Sequence, residues 1–491
     1  MSQLKIADRS IESLQEAGIL SSLEGGILPA YLRRQRWFSS KDAKSGSVRI
    51  ERTIPIETDP RSLLLIVEAV TAAETATYQF PLTLRWDRPA DMDSAVAEVA
   101  SGSDRGWLVD AYSDDEFIRR LLELPTVRKQ ATQVVFRPSA RSGGRGLGEA
   151  AITRTGAEQS NTSILIGPAI LKAYRRLAGG VHPEQEIGAF LTWAGFEGAP
   201  SLLGTIELRN DTGQPVTLGI LQRRVEDATD GWKYMIDRLG RLSSSDPGPQ
   251  TDLQRFAERL GACTAGLHLA LSVDTGDADF TPTPISSGWC EQWSKKITAS
   301  AVAVFERLGD KPPDGNRLPE APSLAEVKAF IVAQAIATPT FSAIRVHGDY
   351  HLGQVLVTES DIFIVDFEGE PMRPLAERRR KSVSMRDIAG MLRSFDYALA
   401  CAKVPDDLPA AAVVSQVKRA FLRSYVARAS SCAGFPADIS QANKVLMLGL
   451  VEKALYEISY ELNNRPDWVD IPVRGLNALI RTPQLYALDA E

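Results

Sequence analysis

The stretch VHGDYHLGQVLVTESDIFIVDFEGEP, Val346 to Pro371, sets three oxygen-bearing side chains around one expected β-hairpin. Asp349 falls in the loop before the hairpin, Gln354 follows five residues later, and Asp366 ends the second strand. Phosphoryl transfer from ATP asks for such a set. A carboxylate must orient the attacking hydroxyl and accept its proton, and oxygen ligands must hold the Mg2+ that screens the β and γ phosphates. An acidic hairpin alone would read as a solvated turn. His347, Gly348, Asp349, Gln354 and Asp366 at these intervals together read as a phosphotransfer site.

Working outward, the segment before this loop alternates short strand and turn signals. Strands are expected at Ala150 to Thr155, Ser163 to Ile166 and Ala169 to Arg175, the last two joined by a tight Gly167-Pro168 turn, with Lys172 inside the third. Pro183 then opens a helix with Glu184 and Glu186 in its first turn, where carboxylates suit the helix dipole. Two more strands are expected at Ser201 to Leu208 and Val216 to Val225. From Trp232 onward helical periodicity dominates, as at Asp252 to Leu271, Leu324 to Ala337, Met385 to Ala402, Ala410 to Ala427 and Asn443 to Leu462. The first hundred residues instead carry short apolar runs such as Ser62 to Val70 and Tyr78 to Trp86 between turn clusters, a β-rich unit. The Gly-, Ser- and Arg-dense segment Arg137 to Gly148 marks an exposed loop or linker.

Composition narrows the function classes. With 491 residues, 44% of them apolar and 24% charged, the chain can bury about three cores. Lys and Arg number 56 against 62 Asp and Glu, a net charge of -6, so no basic excess favours nucleic acid. Cys263, Cys290, Cys401 and Cys432 lie too far apart for a zinc motif or a disulfide framework, which fits a reducing compartment. The N-terminus has no apolar signal-like run, and no stretch approaches the roughly 20 apolar residues that span a bilayer. A cytoplasmic protein without membrane contact is expected.

The phrase HGDxHxGQ followed by VDFE resembles the catalytic loop and metal-binding strand of the aminoglycoside-phosphotransferase and protein-kinase-like superfamily. The resemblance implies an α+β, bilobal kinase-like fold, with Asp349 as base and Gln354, where protein kinases usually carry Asn, and Asp366 as metal ligands. The strand-borne Lys172 and the helical Glu186, fourteen residues on, resemble the superfamily's Lys–Glu ion pair. ATP phosphates would then meet the loop Glu158 to Ser163, through backbone amides and Ser160, Asn161, Thr162 and Ser163, since no GxGxxG is present. Gln222, ending the last strand of this lobe, falls where a hinge would meet adenine, unless it is a solvated edge residue.

Longer phrases resemble the maltokinases: LPAYLRRQRWFSSK at Leu28 to Lys41, SNTSILIG, LKAYRR, HGDYHLGQVL, VDFEGEPMRPLAERR, RDIAGMLRSFDYA and YEISYELNNRPDW. That family implies transfer from ATP to the anomeric hydroxyl of maltose, giving maltose 1-phosphate for α-glucan synthesis, often with trehalose synthase as partner. It also implies a cap over residues 1–95, an intermediate β-subdomain over 96–225 and a helical C-lobe over 226–491. For the sugar, Tyr456 and Tyr460 stand four apart on one helix face with Glu461 and Arg465 behind them, beside Asp349 at the accepting hydroxyl. A Tyr pair at this spacing is equally a packing pattern. His347 is expected to bond backbone, Asp387 and Arg393 to brace the loop, and His268 and Trp37 to sit in cores. Two alternatives remain open here: a kinase for glucosamine or another small sugar, and a catalytically silent partner of a glucan or trehalose enzyme.

Overall fold

The computed structural model describes residues 3–38, 47–71, 74–126, 133–139, 147–155, 161–209, 213–309, 321–370, 373–404 and 408–488. Two compact units divide the chain, 1–193 with 201–224 and 194–200 with 225–491.

The first unit is built on two sheets. One sheet contains β1 (Gln3–Lys5), β2 (Ser47–Ile56), β3 (Asp59–Val70), β4 (Thr75–Arg85), β5 (Ala95–Ser101) and β6 (Asp104–Asp110), in the order β1-β5-β6-β4-β3-β2. The second contains β7 (Val134–Pro138), β8 (Ile152–Arg154), β9 (Thr162–Ile166), β10 (Ala169–Ala173), β12 (Leu202–Arg209) and β13 (Pro215–Arg223), in the order β7-β12-β13-β10-β9-β8. Between them in the chain, β11 (Arg176–Leu177) leaves the second sheet and pairs with β4 of the first. Helices α1 (Ala17–Ser22), α2 (Leu28–Leu32), α3 (Asp115–Leu122) and α4 (Pro183–Ala194) complete the unit.

The unbroken apolar run in β3 has a structural cause. Side chains alternate across a strand, and here Leu63, Leu65 and Val67 enter one core while Leu64 and Ile66 enter another. The first core also holds Trp37, Tyr78 and Phe80; the second holds Ile164, Leu171 and Leu221. A strand covered on both faces has no polar side to show in sequence.

Two boundary expectations change. A cap ending at residue 95 would cut the first sheet, because β5 and β6 pair with β1 and β4 and the sheet continues to Asp110. Gln222 is not an edge residue: β13 lies between β12 and β10, and Gln222 is 9% exposed. The Gly167-Pro168 turn joins β9 to β10, with Gly167 at the positive φ of 52° that its first central position requires.

The second unit is mainly helical: α5 (Gly231–Gly240), α6 (Gly248–Ala270), α7 (Ser287–Gly309), α8 (Leu324–Ala333), α9 (Leu375–Arg378), α10 (Met385–Cys401), α11 (Ala410–Ala429), α12 (Ile439–Asn464) and α13 (Asp470–Arg481). Its strands are short. β14 (Thr229–Asp230) pairs with β17 (Val355–Val357), which forms the hairpin with β18 (Ile362–Ile364), and β15 (Thr283–Pro284) pairs with β16 (Ser342–Ala343). Asp438 caps α12 by accepting from the amides of Ser440 and Gln441. At the centre lies α10, buried along most of its length. A Cβ on Gly390 would sit 2.5 Å from the Tyr350 carbonyl oxygen, so glycine lets α10 meet the loop after β16 at backbone distance. Among the described residues no helix is long and apolar enough to cross a membrane, and the four cysteines are free thiols.

Candidate active site

Asp387, in the first turn of α10, shapes the loop that carries Asp349. It is 1% exposed, and its two oxygens accept from the amides of His347 (2.8 Å) and Gly348 (3.0 Å). His268 of α6 donates to the same carboxylate at 3.0 Å and meets the Tyr425 hydroxyl at 2.9 Å through its other nitrogen. Burial pushes the Asp387 carboxyl up, but the His268 hydrogen bond and charge, His347 and the Gly348 amide outweigh it, leaving its pKa below the ordinary value. The ring of His347 bonds the Val365 carbonyl at 2.9 Å, tying the loop to the end of the hairpin. Gly348 takes φ +84°, which turns the chain so that Asp349 follows.

Asp349 opens onto a cavity of about 620 Å3. One wall is a stripe of α12, Lys453, Tyr456, Glu457, Tyr460 and Glu461, spaced three, four, seven and eight residues from the first and therefore on one face. Tyr456 and Tyr460 stack with centroids 6.4 Å apart. Arg465 ends the stripe in a two-pronged pair with Glu461, at 2.9 and 2.8 Å, and lies 4.6 Å over the Trp468 ring. The cavity thus brings together Asp349, Tyr456, Tyr460, Glu461 and Arg465, all expected at the sugar.

The sequence reading missed Lys453. Its Nζ lies 3.2 Å from Asp349 Oδ1 and 3.4 Å from Glu370 Oε1, and 4.9 Å over the Tyr456 ring. Burial alone would lower the Lys453 pKa, but Asp349, Glu370, Glu457 and Tyr456 raise it above the ordinary lysine value, so the ammonium stays charged. For Asp349, burial acts upward, while Lys453, His351 and His347 carry the pKa below the usual carboxylate range. His351 moves down, mainly through burial, and is neutral near pH 7. Arg393 does not touch the loop, contrary to expectation. It is 2% exposed and holds Glu457 at 2.9 Å and Asp396 at 3.1 Å, filling space that only Gly475 of α13 leaves open.

The metal candidates sit on the hairpin. Asp366 lies two residues beyond β18 rather than ending it, at φ +66°, a left-handed conformation Asp tolerates. A carboxylate oxygen of Asp366 and one of Glu368 lie within 4.8 Å of each other. The Gln354 amide nitrogen is 3.5 Å from His351 Nε2, which leaves its carbonyl oxygen as the ligand end. Hard oxygen donors of this kind fit Mg2+. Glu368 was not singled out from sequence.

In the first unit, Lys172 bonds Glu184 at 2.9 Å, where the sequence reading names Glu186. Two residues of α-helix turn about 200°, so the two carboxylates leave α4 on nearly opposite sides, and the buried one is Glu184. The Tyr174 hydroxyl donates to the same Glu184 oxygen at 2.6 Å. Of the expected phosphate loop, Ser160 lies outside the described residues, while Asn161 directly precedes β9. The Thr162 hydroxyl accepts from Arg175 Nε at 2.7 Å, and Ser163 is buried at 3% exposure opposite Lys172, its hydroxyl without a hydrogen-bond partner among the described residues.

Known proteins resemble the chain over most of its length. Residues 31–114 match the maltokinase N-terminal cap domain and residues 151–369 the phosphotransferase enzyme family. A glucosamine kinase of Streptacidiphilus jiangxiensis is 28% identical over 333 residues, 66% of this chain and 72% of its own. One from Mycolicibacterium smegmatis is 27% identical over 66% of this chain and 78% of its own. Among solved structures, a glucosamine kinase in complex with glucosamine, ADP and inorganic phosphate superposes with a TM-score of 0.65 at 20% identity, covering 92% of this chain and 98% of that one. A second crystal form of glucosamine kinase gives 0.67 at 21% identity, over 94% and 99%. The fold is therefore α+β and kinase-like and the activity that of a phosphotransferase, in a chain that carries a maltokinase N-terminal cap domain followed by a domain of the phosphotransferase enzyme family.

Proposed function

We propose that this chain is an ATP-dependent maltokinase that phosphorylates the anomeric hydroxyl of maltose, yielding maltose 1-phosphate for α-glucan synthesis. The observation that carries the reading is Asp349, fixed by Asp387 through the loop and by Lys453 at its side chain, at the mouth of a cavity walled by two stacked tyrosines. Stacked aromatic faces suit the CH faces of sugar rings, the paired polar groups suit hydroxyls, and the volume leaves room for two rings.

In this reading the acceptor hydroxyl donates its hydrogen bond to Asp349, which is ionised because its pKa lies below the usual range. The hydroxyl oxygen attacks the γ phosphorus in line, the bond to the β-phosphate oxygen breaks, ADP leaves, and Asp349 holds the proton. Lys172, oriented by Glu184, contacts the nucleotide phosphates. Mg2+, when bound by Gln354 and Asp366 with Glu368 alongside, supplies charge neutralisation at the phosphates.

The test is ADP release with magnesium-ATP over maltose, glucose, glucosamine and trehalose. Preferred turnover of maltose is the expected result. Preferred turnover of glucosamine, the substrate in the relatives' name, would keep the kinase and overturn the acceptor. Silence on every sugar would overturn both.

A further inference from the structure

The charges around the acceptor cavity are closed among themselves. Three carboxylates line it, Asp349, Glu457 and Glu461, and each has a cation of the chain against it: Lys453, Arg393 and Arg465 respectively. Glu370, just behind, is shared by Lys453 and Arg373. A cationic sugar entering this space finds no carboxylate left uncompensated. It also finds the Lys453 ammonium beside Asp349, where the accepting hydroxyl must sit.

We propose that Lys453 determines the charge class of the acceptor, admitting neutral saccharides and discriminating against ammonium sugars such as glucosamine. This rests on the sugar-kinase reading and names a residue and a physical cause for its selectivity. Two like charges a few ångströms apart in a partly buried site repel strongly, whereas a neutral hydroxyl can accept a hydrogen bond from the same ammonium. Glucose and glucosamine differ only by a hydroxyl against an ammonium, so their ratio isolates the effect. Arg465 is already committed to Glu461 and lies at the far end of the stripe, which leaves Lys453 as the cation nearest the base.

The experiment is competition by glucose and by glucosamine against maltose phosphorylation by the full chain at neutral pH, with sugar binding to the variants also followed by calorimetry. In the wild type, glucosamine should compete on the order of 10- to 100-fold more weakly than glucose. Lys453→Met, which exposes Asp349 and Glu370 as uncompensated carboxylates, should shift that ratio toward glucosamine by at least about tenfold, whatever happens to turnover. Lys453→Arg, which keeps the charge, should retain the wild-type preference; a purely structural role would be rescued by Met's similar length as readily as by Arg. Equal competition by both sugars in the wild type, including none by either, overturns the assignment, as does an unchanged ratio in Lys453→Met. If maltose itself is not phosphorylated, the maltokinase reading fails and takes this inference with it; if maltose is turned over and glucosamine competes as well as glucose, only the inference fails.

Discussion

Lys453 Nζ lies 3.2 Å from Asp349 Oδ1, joining α12 to the loop that follows β16 across 104 residues of sequence. The contact has a consequence for the pH profile. Asp349 acts as a base only when ionised, and its pKa is depressed, so kcat/KM should stay level as pH falls into the ordinary carboxylate range and drop only below it. In Lys453→Met the burial of Asp349 acts unopposed by the ammonium, so the acidic limb should move to higher pH. A pH–rate profile of both proteins checks this, and coincident acidic limbs would refute it.

Asp387 ties three partners to one buried carboxylate. Asp387→Ala leaves His268 and two loop amides without an acceptor, and should lower the free energy of unfolding by about 3 to 5 kcal/mol. Urea denaturation measures it. Asp387→Asn should be milder in size yet still damaging, because its amide group presents a donor where a donor already stands. Since the folded pKa of Asp387 is lowered, its contribution is full above the unfolded carboxyl value of about 3.9 and is lost as pH falls through the folded value.

Glu184 and Glu186 can be told apart by nucleotide affinity. Glu184→Gln removes the charge that holds Lys172, and should raise KM for ATP by roughly tenfold or more, about 1.4 kcal/mol. Glu186→Gln should change it less. Steady-state kinetics at saturating sugar decide the matter, and the reverse order would return the pair to its sequence-based form.

Arg175 binds the two sheets of the first unit. Its guanidinium lies between the rings of Trp37 and Tyr112, at 4.7 and 4.6 Å, donates to Asp110 at 2.6 Å and reaches Thr162 at the start of β9. Arg175→Ala leaves Asp110 buried without its charge partner and should destabilise the fold by about 3 to 5 kcal/mol. Arg175→Lys should rescue it only in part, because an ammonium cannot present the planar fork. Equilibrium unfolding of the two variants is the check.

What the sequence disclosed follows from how local each feature is. Asp349, Gln354 and Asp366 lie within eighteen residues, so their spacing carries the hairpin geometry directly. Tyr456, Tyr460 and Glu461 share one helix, and helical period puts them on one wall. Lys453 stands on the same helix but gains its meaning from a loop far away in sequence, and a lone Lys on a helix reads as a solvated charge. Glu370 was visible in DFEGEP without a partner to give it a role. The first sheet was cut at residue 95 because the parallel pairing of β1 with β5 joins strands more than ninety residues apart. The superfamily spacing points to Glu186, whereas the burial of Glu184 on α4 favours Glu184. Helix α13 buries Pro472, Val473, Leu476 and Leu479 at helical spacing, yet Pro472 in its first turn and Gly475 in its middle read as helix breakers, and the need for that glycine appears only when Arg393 is packed against it.

The measurement that bears most directly on the account is turnover of maltose with magnesium-ATP by Asp349→Asn beside the wild type, with ATP affinity and unfolding followed in both. The account predicts a fall in kcat of about 10² to 10⁴ at unchanged ATP affinity and fold. Wild-type turnover in Asp349→Asn would contradict it.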